Sequence, residues 1–356
     1  MKAVAVIPGA RDSLHVRDVP DPRVPDGHAL IRVLETGVCG TDVDINEGLF
    51  GDAPPGSDFL ILGHENLGVV ESAAPPLKAG DLVVATVRRP CPEACPPCRL
   101  DQSDMCLTGN YTERGIKSLH GFMAERYVES PRYLIRADNS LRALAVLLEP
   151  LSVVEKGIEQ AWRLQERLPW QPRRAVVIGV GPIGMLAAVV LRLRGLEVTA
   201  CARDRRGSFK DRHLAAIGVD YVSTVEVPLA ELAQRQDPPD LVFEATGAAA
   251  VIFPAIGLLA RNGVCVLASV TLNPTPLEVD AAAWNQHLMI GNRVVVGTVN
   301  ANRQHFEAGA RDLQAAQARW PGWAAQLITR RVPFADPRAA LARAPGDIKA
   351  VLEFPA

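Results

Sequence analysis

The chain has 356 residues, of which 48% are hydrophobic and 22% charged, with a formal net charge of −2. That length suits two domains with full cores, and the near-neutral charge excludes the electrostatic footprint of a nucleic-acid or anionic-membrane binder. No apolar run approaches the roughly 20 residues of a membrane span.

Taken in chain order, Met1-Lys2-Ala3-Val4-Ala5-Val6 lacks a signal peptide's long apolar segment and predicts a first strand. Residues 1–150 are rich in Gly, Pro and short β-type runs, such as 28–34 and 81–87, and predict an irregular β-rich domain with long loops. From 143 to about 168 the apolar spacing turns helical. A different texture follows: strands over 175–178, 197–201, 240–244, 264–268 and 293–296, a helix over 185–194, and further helices or loops between. Strand and helix alternating at this pitch predict an α/β fold with a parallel, doubly wound sheet. After Asn300 come one long amphipathic helix and a strand-like end over 350–354. That tail is too small to be a domain and is expected to fold back onto the N-terminal one.

Gly179-Val180-Gly181-Pro182-Ile183-Gly184 follows a predicted strand and opens a helix. In that context the first glycine permits a tight turn and the second admits a pyrophosphate. The third lets helix pack on strand, and the helix N-terminus faces the phosphate. About 20 residues on, where an NAD enzyme carries an acid for the ribose hydroxyls, stands Arg203. A guanidinium there suits the 2′-phosphate of NADP; the competing reading is a solvated basic loop with Arg205 and Arg206, and Asp204 complicates its electrostatics. The expectation is NADP, with NAD as the alternative.

Four of the seven cysteines, Cys91, Cys95, Cys98 and Cys106, share a proline-rich loop. Four thiolates so close predict a closed, structural zinc site rather than a disulfide framework, in a protein of the reducing cytoplasm. A second set is dispersed: Cys39-Gly40-Thr41-Asp42, Gly63-His64-Glu65 and Glu149-Pro150. Singly, Cys39 reads as a buried apolar residue, His64 as a hydrogen-bonded core histidine and Glu149 as a helix-surface carboxylate. Together they match a catalytic zinc, with S, N and O ligands and one open position. Thr41 then offers a hydroxyl for a proton relay, and Asp42 a carboxylate to orient the His64 ring.

With Gly63-His64-Glu65-x-x-Gly68, Gly80-Asp81, the cysteine lobe, Glu149-Pro150-Leu151 and the glycine motif, the whole chain resembles the zinc-dependent medium-chain dehydrogenase/reductase family. Within it the chain is most similar to archaeal-type glucose 1-dehydrogenases, through Tyr111–Ile116, Leu148–Leu151, Gly297–Asn302 and His305-Phe306. The resemblance implies a GroES-like catalytic domain over 1–160 carrying the structural-zinc lobe, a Rossmann domain over 161–299, and a C-terminal return over 300–356. It implies a catalytic zinc on Cys39, His64 and a carboxylate, Glu65 or Glu149, with Thr41, Asp42 and Glu65 as catalytic groups. Thr41, Glu113, Glu149 and Asn300 would contact sugar hydroxyls. Gly179, Gly181, Pro182, Ile183, Gly184, Arg203, Thr246, Thr298 and Asn300 would contact the dinucleotide.

The implied activity is oxidation of an aldose at its anomeric hydroxyl, D-glucose to gluconolactone, by a homodimer or homotetramer. Other aldoses, polyols or secondary alcohols are rival substrates. A non-enzymatic nucleotide-binding protein is the rival class, against which the retained Cys39, His64 and Glu149 argue. Two features depart from the family. Three residues separate Cys91 from Cys95 where two are usual, an insertion that a bulge can absorb. The adenosine loop reads Ala202-Arg203-Asp204 where relatives using NADP show paired arginines.

Overall fold

The computed structural model describes residues 1–355 except Asn273 and Pro345, with the backbone alone at Arg235. Its contacts divide the chain into two compact units, Met1–Ser152 with Asn300–Gln314 and Ala324–Ala356, and Val153–Val299 with Ala315–Trp323.

The first unit is built on a sheet in which the central strand Ala29–Val38 pairs antiparallel with Glu65–Ser72, Arg126–Glu129 and Lys349–Glu353. Along Ala29–Val38 buried and half-buried positions alternate as the period of two requires, which turns Ala29, Ile31 and Val33 into the core. Lys349–Glu353 in turn pairs parallel with Ile328–Pro333, so both strands of the C-terminal segment are part of this sheet. A small sheet of Arg88–Arg89, Thr112–Arg114 and Ser118–Leu119 stands apart from it, and the four-cysteine loop lies between its first two strands in sequence.

The second unit holds a six-stranded sheet, parallel throughout, in the order Asp220–Ser223, Glu197–Ala202, Arg174–Ile178, Leu241–Glu244, Val264–Leu267, Val294–Gly297. Strand order reverses direction at Arg174–Ile178, the switch point at which such sheets bind their ligands. This strand and Leu241–Glu244 are buried along nearly their whole length, because helices cover both faces and leave no polar side. The expected strands are present with ends shifted by a residue or two. The edge strand Asp220–Ser223 falls in a stretch read from sequence as helix or loop; four residues, two of them half or fully exposed, carry too little pattern to declare a strand. Among the described residues no helix is long and apolar enough to cross a membrane.

Candidate functional site

Cys39 follows the central strand Ala29–Val38 and caps the short helix Gly40–Asn46, which turns the chain so that Thr41 and Asp42 follow the thiol closely. Asp42 is fully buried. Its Oδ2 accepts the Cys39 N–H at 2.9 Å and its Oδ1 the Gly63 N–H at 3.2 Å, so one carboxylate clamps together the two segments carrying Cys39 and His64. The same Oδ1 stands 3.6 Å from His64 Nδ1. Burial pulls the His64 ring down, but the Asp42 carboxylate and Cys39 outweigh it and hold the ring well above its usual range.

Cys39, His64 and Glu65 place one ligand atom each within 4.8 Å of one another. A thiolate, an imidazole and a carboxylate in so small a space, with an acid orienting the histidine from behind, fit a catalytic zinc site. Thr41 Oγ1 is 3.8 Å from Cys39 Sγ, at the edge of that cluster. Glu149 lies outside it. The Glu149 carboxyl, in the first turn of Leu148–Gln165, is pushed up to about 7 by burial, with His64 opposing and Glu65 reinforcing the shift. Glu65 faces Gly37 across the sheet, where a Cβ would come within 1.9 Å of its Oε2, and its Oε1 pairs with buried Lys349.

In the loop, Cys91, Cys95, Cys98 and Cys106 place all four sulfurs within 4.8 Å of one another, with Cys95 and Cys106 at 3.9 Å. That is close to the roughly 3.8 Å edge of a tetrahedron with zinc–sulfur bonds of about 2.3 Å, and far too long for a disulfide. Peptide N–H groups of Cys95 and Leu107 each point at a sulfur at 3.4 Å, as thiolates require. The extra residue between Cys91 and Cys95 is absorbed at Ala94, which adopts a left-handed φ of 47° and closes a turn onto the Cys91 carbonyl at 3.0 Å. The donor set fits a closed zinc.

Glu113 and Asn300 meet. Asn300 Nδ2 donates to Glu113 Oε1 at 2.9 Å, and both side chains are buried. Glu113 is therefore no surface residue paired with Lys117; its ion pair is with Arg88, a residue that sequence patterning passed over because nothing local marks it. Lys349 was missed for the same reason.

In the second unit Gly179 turns the chain at φ 95° after Arg174–Ile178, and Thr246 packs beside it. A Cβ on Gly184 would fall 1.7 Å from the Gly179 carbonyl oxygen, so only glycine lets the helix Pro182–Leu193 sit this close to the strand. Gly181 caps that helix with open space where its Cβ would be, and Pro182 and Ile183 form the helix's first turn. Free N–H groups there suit a pyrophosphate. Arg203 is exposed just past the end of Glu197–Ala202. Asp204 pairs with Lys210 at 3.3 Å, which offsets part of its charge. Thr298 follows Val294–Gly297 with its hydroxyl buried and without a hydrogen-bond partner among the described residues.

A β-rich unit with two donor sets and a unit with a doubly wound sheet and a glycine turn at its switch point are the two parts of a zinc-dependent medium-chain dehydrogenase. Residues 25–139 match the alcohol dehydrogenase GroES-like domain, and residues 142–354 match the glucose dehydrogenase C-terminus. The chain belongs to the glucose dehydrogenase family. It is 49% identical to a glucose 1-dehydrogenase of Methanocella arvoryzae, over 99% of each chain. It is 41% identical to one of Thermoproteus tenax, again over 99% of each. A solved structure of Haloferax mediterranei glucose dehydrogenase in complex with NADP, Zn and gluconolactone superposes with a TM-score of 0.93 at 33% identity, covering 100% of both chains.

Proposed function

We propose that this protein is a zinc-dependent NAD(P) glucose 1-dehydrogenase that oxidises the anomeric hydroxyl of D-glucose to gluconolactone, with NADP the preferred cofactor. The observation that carries the reading is the paired Glu113 and Asn300, a buried carboxylate and amide that suit sugar hydroxyls and would go unmet by a simple alcohol. Two full-length glucose 1-dehydrogenase relatives support it.

When bound, a zinc on Cys39, His64 and Glu65 supplies Lewis acidity that makes an alcohol oxygen acidic near neutral pH, and the nicotinamide supplies the hydride acceptor. Asp42 orients His64, and the Thr41 hydroxyl passes the substrate proton outward. Glu113, Asn300 and Glu149 bind and orient the sugar hydroxyls. Glu65 is the better third ligand by its place in the cluster, and Glu149, outside it, is near enough to feel the charges of Glu65 and His64. Cys91, Cys95, Cys98 and Cys106 hold a second, structural zinc. The dinucleotide lies on Gly179, Gly181, Pro182, Ile183 and Gly184, with Arg203 at the adenosine end and Thr246 and Thr298 along its path.

We also infer a homo-oligomer, dimer or tetramer. The edge strand Val294–Gly297 is paired on one side only among the described residues, and Val295, Val299, Met289 and Ile290 are exposed around it. All seven cysteines are free, which suits a reducing cytoplasm.

A panel of glucose, galactose, xylose, polyols and simple alcohols, read as NADPH or NADH absorbance, tests the reaction. Greatest turnover of a simple alcohol, or none of any substrate, removes the proposed activity. Metal analysis should find two zinc ions per chain; a stoichiometry near one, unaffected by Cys95→Ser and Cys98→Ser, removes the structural site.

A further inference from the structure

Arg88 stands directly opposite Glu113 in the antiparallel pairing of Arg88–Arg89 with Thr112–Arg114. Both side chains are nearly inaccessible, 5% exposed for Arg88 and 8% for Glu113. Arg88 Nε donates to Oε1 of Glu113 at 3.0 Å, and Nη2 stands 2.9 Å from the same oxygen as its ion-pair partner. Asn300 Nδ2 donates to that same Oε1 at 2.9 Å. Two hydrogen bonds and an ion-pair contact thus converge on Oε1, and among the described residues no donor reaches Oε2. The carboxylate is held so that one oxygen is fully engaged by protein and the other is available to a ligand.

The guanidinium is fixed on its remaining sides as well. Its Nη1 donates to the Asp104 carbonyl at 3.1 Å, and its plane stacks on the Tyr111 ring at 3.6 Å. Asp104 lies in the turn Ser103–Met105, between Cys98 and Cys106 of the cysteine loop. A single planar fork therefore joins that loop to Glu113, a geometry a lysine ammonium cannot reproduce.

We propose that Arg88 is the positioning residue that aims Glu113 Oε2 at a sugar hydroxyl and transmits the rigidity of the four-cysteine loop to it. The proposal rests on the reading of Glu113 as a sugar-binding group. A merely structural Arg88 would, when replaced, lower stability, kcat and affinity for both substrates together. A positioning Arg88 acts on the sugar alone.

The test uses the full chain with Arg88→Lys, which keeps the buried charge pair but not the fork, Tyr111→Leu, which loses the ring's stacking on Arg88 together with its contact to Lys117, Glu113→Gln, and the double variant Arg88→Lys/Glu113→Gln. Glucose binding to cofactor-free protein is measured by calorimetry, with KM for glucose and NADP and the melting temperature alongside. Arg88→Lys should weaken glucose binding and raise its KM about tenfold, with KM for NADP unchanged. Tyr111→Leu should give about a threefold loss of the same kind. The double variant should be no worse than Glu113→Gln, because both act through one contact. Wild-type glucose binding in both Arg88→Lys and Tyr111→Leu, beside a weakened Glu113→Gln, overturns the proposal and leaves the sugar reading standing. Additive losses in the double variant overturn it too. Wild-type glucose binding in Glu113→Gln removes the sugar reading and the proposal together.

Discussion

Lys349 Nζ and Glu65 Oε1 form an ion pair in which each side chain is only 1% exposed, joining the last strand of the chain to a metal-ligand candidate 284 residues earlier. Lys349 also donates to the Val38 carbonyl at 3.0 Å, one residue before Cys39. The pair thus fixes the carboxylate and the strand end beneath the thiol at once. Removing one member of such a pair strands an uncompensated charge, at a cost of about 3–5 kcal/mol, whereas removing both is much milder. Lys349→Met is expected to lower the melting temperature markedly, and Lys349→Met/Glu65→Gln to recover most of the loss. If the single and double variants melt alike, the pair contributes little to the fold.

Features written in a short stretch of residues were legible in the sequence. The glycine turn declared itself by strand, turn and helix in immediate succession, and the cysteine loop by its spacing. Cys39, His64 and Glu149 were ambiguous one by one and matched a zinc site only as a set; Glu65 entered as a ligand only through the family resemblance. Arg88 and Lys349 stayed hidden, because each matters through a cross-strand register or a long-range pairing that no local periodicity encodes. Glu113 illustrates the limit. Its neighbours in sequence, Arg114 and Lys117, look like its partners, yet Arg114 reaches Glu129 at 2.8 Å and Lys117 the Gly109 carbonyl at 2.6 Å.

Arg203 stands exposed past its strand, with the nearby charge of Asp204 already paired to Lys210. Lys210 thereby offsets part of the repulsion that Asp204 would exert on a ribose 2′-phosphate. Arg203→Asp should shift preference from NADP towards NAD by about tenfold or more, since a charge-assisted hydrogen bond contributes roughly 1.5–3 kcal/mol. The ratio of kcat/KM for the two cofactors measures this. An unchanged ratio makes Arg203 a solvated loop residue.

His213 is stacked between Phe209 and Trp323, with ring centroids 5.3 and 4.5 Å away, and burial pushes its pKa down to about 4. The folded protein therefore holds this ring neutral where the unfolded chain, near 6.5, would take up a proton. Stability from this source is complete above about pH 6.5, falls as pH drops towards 4, and changes no further below. His213→Phe keeps an aromatic ring in the stack and cannot titrate. Between pH 7.5 and 4.5 its unfolding free energy should fall less than the wild type's, by an amount of the order of 2 kcal/mol, read as a smaller drop in melting temperature. Parallel pH profiles would show that His213 is protonated without penalty in the fold.

Two glycines three residues apart in one motif, Gly181 and Gly184, predict opposite phenotypes. Gly181 has φ −78° and ψ −169°, backbone that alanine adopts freely, and a Cβ there meets nothing within 4 Å. Gly181→Ala should fold with a melting temperature close to the wild type's. The added methyl would, however, stand over the free N–H groups at the start of Pro182–Leu193, where a pyrophosphate needs close approach. NADP binding should weaken about tenfold or more, read by titration of the protein's fluorescence. Gly184 is the reverse case, since its Cβ would fall 1.7 Å from the Gly179 carbonyl oxygen and neither backbone can yield without parting helix from strand. Gly184→Ala should therefore melt well below the wild type even with no cofactor present. The contrast separates the two jobs of the motif. Wild-type NADP affinity in a stable Gly181→Ala would move the pyrophosphate off this helix end, and a stable Gly184→Ala would mean that the close packing of helix on strand is not what this glycine is for.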